Sequence, residues 1–131
     1  MARYGLPVPS DDDLRQGLRA FALTLPGAYE DFPWGEVVVK VNKKIFAFLG
    51  SDGPSETRGF AVKLVESHEH ALSIPGAAPS GYGLGKAGWV LVPLAGEIPE
   101  LGVLADFVEE SYRVVAPRRL VDELDARSAP G

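Results

Sequence analysis

The 131-residue chain has no cysteine, which excludes disulfides, thiolate nucleophiles, Fe–S clusters and every thiolate zinc site. Long hydrophobic runs are missing too, since no segment approaches the roughly 20 apolar residues of a membrane span. The first residues, Met1-Ala2-Arg3-Tyr4-Gly5-Leu6-Pro7, lack the apolar stretch of a signal peptide. The expected location is therefore cytoplasmic, with no membrane partner. Basic residues are outnumbered, 13 Lys and Arg against 18 Asp and Glu, for a net charge of −5. A pI near 5.0 weakens non-specific DNA binding by net charge alone. Apolar residues at 46% and charged residues at 24% are ordinary for a globular chain. At this length residues 1–131 are expected to form one domain, with about 1–8 and 127–131 frayed.

The pattern of elements predicts an α+β fold. Ser10 can cap a first helix, Asp11-Asp12-Asp13 face the positive end of its dipole, and Leu14, Leu18, Phe21, Ala22 and Leu25 form one apolar stripe. Pro26-Gly27 ends it, and a Pro/Gly-rich link runs on to Gly35. Val37-Val38-Val39 and Val41 then read as a strand, and Asn42-Lys43 as a polar turn into a second strand, Ile45 to Leu49. Phe60–Val65 and Trp89–Val92 supply two more strands, with a weaker candidate near Tyr82 and a short helix within Glu66–Leu72. Leu101, Leu104, Val108, Tyr112 and Val115 make a second helical stripe, and Arg118–Ala126 reads as a last helix. Strands in succession between helices predict an antiparallel sheet of four to five strands, with the helices packed on one face.

Several motifs resolve into structural readings. Gly83-x-Gly85-x-x-Gly88 matches a dinucleotide fingerprint, but a strand follows it where the fingerprint requires a helix. It reads as a glycine-rich loop entering a strand. His68-Glu69-His70 would place its imidazoles about 200° apart on a helix, so they do not converge on a metal. Glu30-Asp31 is a carboxylate pair beside Phe32-Pro33-Trp34-Gly35; such loop carboxylates usually cap a turn or pair with a nearby Arg or Lys. Trp89 and Tyr112 read as packing residues. No nucleophile, base and oxyanion site converge, so an enzyme is not expected, nor a metal or cofactor.

Charge placement is the most informative feature. All five lysines, Lys40, Lys43, Lys44, Lys63 and Lys86, fall in the predicted sheet and its loops. Val37–Leu64 holds five basic and two acidic residues, a net of +3, whereas Glu97–Gly131 holds four basic and eight acidic, a net of −4. A basic sheet face can track phosphates, although lysine also serves simply to cover an open face and guard edges. Lys40 and Lys44 share a face only if the turn places their strands suitably, and Lys63 must join them.

The chain resembles the MmcQ/YjbR family of small bacterial proteins. The resemblance runs from about Asp12 to Leu124 and rests on Leu25-Pro26-Gly27-Ala28-Tyr29-Glu30, Pro33-Trp34-Gly35, Val39–Ala47, Lys63, Gly88-Trp89-Val90 and Ser111–Val115, in that order. It implies a CyaY-like (frataxin-like) fold and a DNA-binding role through a double-wing arrangement, without catalytic residues. On that reading Lys40, Lys43, Lys44, Arg58, Lys63 and Lys86 meet phosphates and Trp34 stacks. The alternative is a small-ligand or protein-binding module, as in drug sequestration, with a pocket built from Glu30, Trp34 and Trp89. Iron handling by analogy with frataxin rests on fold likeness alone. A monomer or weak homodimer is expected.

Overall fold

The computed structural model describes residues 11–32, 36–50, 59–79, 87–94 and 99–128. In chain order the elements are α1 (Asp11–Leu23), β1 (Tyr29–Asp31), β2 (Val37–Val41), β3 (Lys44–Gly50), β4 (Gly59–Lys63), α2 (His68–Leu72), β5 (Ala78–Pro79), β6 (Trp89–Pro93), α3 (Leu101–Val115) and α4 (Arg118–Ser128). The six strands form one sheet in the order β1-β2-β3-β4-β6-β5, and every pairing is antiparallel. The expected α+β class holds, but the count of four to five strands is corrected to six. The two extra strands, β1 and β5, have three and two residues. Neither is long enough to show a period of two; each is defined by the partner it pairs with.

Alternation along the strands separates two faces. Val37, Val39 and Val41, Leu49, Phe60 and Val62, and Val90 and Val92 enter a single core. Leu14, Leu18 and Ala22 of α1, Ala71 of α2, Leu104, Phe107 and Val108 of α3, and Leu120 and Leu124 of α4 fill its other side. All four helices therefore lie on one face of the sheet. Leu101, expected on the inner stripe of α3, is exposed at its rim, where its side chain covers Gly17 of α1. The opposite face carries Lys40, Ile45, Phe48, Ala61, Lys63, Trp89 and Leu91, which the register sets in rows. Helix α4 runs through Ser128, and Arg127 Nη1 donates to the Thr24 carbonyl at 2.5 Å, so the stretch expected to fray from 127 begins inside a tethered helix.

Three consecutive residues of α3 lock the layers together. Between Val39–Ala47 and Lys40–Ile45 the β2–β3 register slips by one, leaving Phe46 as a bulge. The Ser111 hydroxyl donates to the Phe46 carbonyl at 2.5 Å and accepts the Lys63 N–H at 2.9 Å. It is thus inserted where the β3–β4 ladder, which ends at Ala47–Val62, would next have paired. Tyr112, fully buried, stacks edge-to-face on Phe46 at 5.3 Å, and its hydroxyl donates to the Pro26 carbonyl at 2.6 Å. Glu110 Oε2 accepts the N–H groups of Val65 (2.9 Å) and Ser67 (3.1 Å), ahead of α2. Burial pushes that carboxyl upward, but the Ser67 hydroxyl and the N–H groups of Ser67, Val65 and Glu66 outweigh it and hold the group below its ordinary value.

Candidate functional site

The β2–β3 hairpin turns on Asn42 and Lys43, both in the left-handed region, with φ of 51° and 68°. Two such residues in succession make the tight turn whose twist matches its strands, for which Asn-Gly is the favoured sequence. Asparagine fits; lysine in place of glycine costs about 1 kcal/mol. Lys43 and Lys44 are both exposed, and neither forms an ion pair among the described residues. The hairpin tip therefore presents two adjacent ammonium groups to solvent.

The register settles which lysines share a face. Lys44 sits opposite Val41, a core residue, while Lys40 sits opposite Ile45 on the other face. Lys40 and Lys44 thus point to opposite sides. Lys63 shares the open face with Lys40, two strands away and roughly 10 Å distant. Its amine makes no ion pair among the described residues. Lys40 is committed: its Nζ lies 2.6 Å from Asp31 Oδ2, while Asp31 Oδ1 accepts the Phe32 N–H at 2.8 Å. The hydrogen bond from Lys40, then that from Phe32, holds the Asp31 carboxyl below the usual carboxylate range, and the same contact raises Lys40.

Glu30 and Asp31 lie on a strand, so alternation sends them to opposite faces. Asp31 takes Lys40; Glu30 turns to the helix side, where Arg19 Nε of α1 meets its Oε2 at 2.5 Å. Each carboxylate of the pair has a basic partner. Trp89, only 7% exposed, packs edge-to-face on Phe48 at 5.2 Å on the open side. The pocket suggested by Glu30, Trp34 and Trp89 is therefore not assembled by Glu30 and Trp89, which the sheet separates. Trp34, Arg58 and Lys86 lie outside the described residues, as do Ser10, Tyr82, Gly83 and Gly85.

Gly88, the last glycine of the refused fingerprint, has a structural role. Its φ is 98°, a Cβ there would stand 2.8 Å from the Leu64 carbonyl oxygen, and its own carbonyl accepts the Leu64 N–H at 2.9 Å. The His68–His70 segment forms α2, and the His70 ring meets Phe107 edge-to-face at 5.6 Å. Among the described residues no group of three or more His, Asp or Glu side chains is placed to hold a metal ion. No described helix is long and apolar enough to cross a membrane.

The acidic helical half is partly self-neutralised. Arg113 contacts Glu109 at 3.1 Å and Asp125 at 2.9 Å, and Arg118 contacts Asp122 at 3.0 Å. Helix α4, which reaches the hairpin end of the sheet through Leu120 beside Gly27 and Val41, carries three arginines against three acids. The acidic surplus belongs to α3 and the residues before it.

A family model described as YjbR matches residues 23–114, from the end of α1 through most of α3. The chain belongs to the YjbR family. The crystal structure of Deinococcus radiodurans protein DR2400, with its domain described by the family model DUF419, is similar at a TM-score of 0.65. The two are 27% identical, over 90% of this chain and 92% of that one. No curated protein matches. The YjbR match takes in the lysine hairpin, the Asp31–Lys40 pair and the Glu110–Tyr112 lock, and leaves α4 outside.

Proposed function

We propose that this YjbR-family protein is a non-enzymatic nucleic-acid-binding or regulatory protein, with the β2–β3 hairpin as the wing that meets phosphates. One observation carries the reading: Lys43 occupies a left-handed turn position where glycine is less costly, and with Lys44 it faces solvent unpaired among the described residues. A charge retained there at a conformational cost is explained by something that uses the charge. Lys63 adds a third available cation on the open face, and Lys40 is discounted because Asp31 holds it. Net charge does not oppose this arrangement strongly. Helix α4 near the hairpin is balanced, and exposed charges beyond about 10 Å are largely screened at 0.1 M salt.

The test is a titration with mixed-sequence duplex and single-stranded DNA across a range of salt. Three lysine contacts release counterions worth a log–log slope of about −2 on single strands and about −3 on duplex. Lys43→Ala with Lys44→Ala is expected to make either slope shallower by roughly 1.5–2 while leaving the thermal transition unchanged. Absence of binding to both DNAs at low ionic strength contradicts the reading.

A further inference from the structure

We propose that Tyr29 and Phe32 form a stacking site for unpaired nucleobases, so that the nucleic acid this protein holds is single-stranded; the inference rests on the nucleic-acid reading above. Tyr29 is 41% exposed and Phe32 56% exposed, and the two flank Asp31 on the edge strand β1. Large rings gain by burial, so two left open within four residues mark a surface that something else covers. Tyr29 sits opposite Lys40, which places its ring on the face that carries Lys40 and Lys63 and no helix. A flat aromatic beside a sheet-borne cation is the combination that holds a single strand: the base stacks and the backbone follows the positive charge.

Charge complementarity selects this occupant. Of the acids on β1, Asp31 is neutralised by Lys40 and Glu30 is turned to the helix side by Arg19, so neither opposes a polyanion at the rings. A duplex keeps its bases inside the helix and would leave both rings as exposed as before. A single strand offers one base to each, at positions about 10 Å apart along an extended backbone.

The experiment compares three fluorescent probes at low salt: oligo(dT), an abasic strand with the same backbone, and a duplex of the same length. The full chain is expected to bind oligo(dT) about tenfold more tightly than the abasic strand. Tyr29→Ser with Phe32→Ser is expected to abolish that preference, with duplex affinity and the salt slope unchanged. Both side chains are exposed, and a melting curve of the variant confirms that it folds. If the chain binds all three probes equally, or if the double variant keeps the preference for bases, the stacking site is refuted while the phosphate reading stands. If it binds none of them, the phosphate reading fails and the stacking site with it.

Discussion

Tyr112→Ala is expected to destabilise the domain by about 3–5 kcal/mol in urea unfolding, whereas Tyr112→Phe should cost about 1–2 kcal/mol. The separation follows from two roles held by one side chain. Its ring is fully buried against Phe46, at the bulge that the Ser111 hydroxyl also grips, so truncation opens a cavity beneath the central strands. Its hydroxyl satisfies the Pro26 carbonyl at the end of the turn that leads from α1 into β1, and phenylalanine leaves that acceptor unpaired. Equal losses for the two variants would mean that the hydrogen bond, not the ring, dominates. Because Pro26 leads into Tyr29 and Asp31, loss of this bond also loosens the strand that holds Lys40.

Trp89→Ala should cost a comparable 3–5 kcal/mol, for a different reason. Trp89 is buried on the face away from the helices, where it packs on Phe48, and it opens the strand that pairs along all of β4. Its removal leaves Phe48 without its edge-to-face partner and Lys63 without its neighbour across the strand pair. Trp89→Phe, which keeps an aromatic edge, is expected to recover about half of the loss. A Trp89→Ala protein as stable as the parent would show that the ring is not part of the folded core.

The helices and the long strands were legible because their signals are periodic. Leu14, Leu18 and Ala22 recur at helical spacing and are buried; Val37, Val39 and Val41 alternate and enter the core. The Asn42-Lys43 turn was legible from its polarity between two apolar runs, although its left-handed geometry was not. Strands β1 and β5 were hidden by their length. The fate of the lysines was hidden by register, because a bulge at Phe46 and a two-residue turn decide together that Lys40 and Lys44 diverge. Asp31, nine residues before Lys40, could be matched to it only once β1 was known to be a strand. The α3 lock left a weaker trace still. Glu110 and Ser111 make contacts 43 to 65 residues away, and no local pattern reports those partners. What sequence could offer there was only a polar pair on the inner side of an apolar stripe.

The central claim is that polyanion recognition belongs to the hairpin tip and the open face, not to the helical layer. The most direct measurement is amide chemical-shift mapping of the full chain at low ionic strength as oligo(dT) is added. The largest changes are predicted at Asn42, Lys43 and Lys44, at Lys63, and from Tyr29 to Phe32, with α3 unperturbed. Changes centred on α3 and α4 would contradict it.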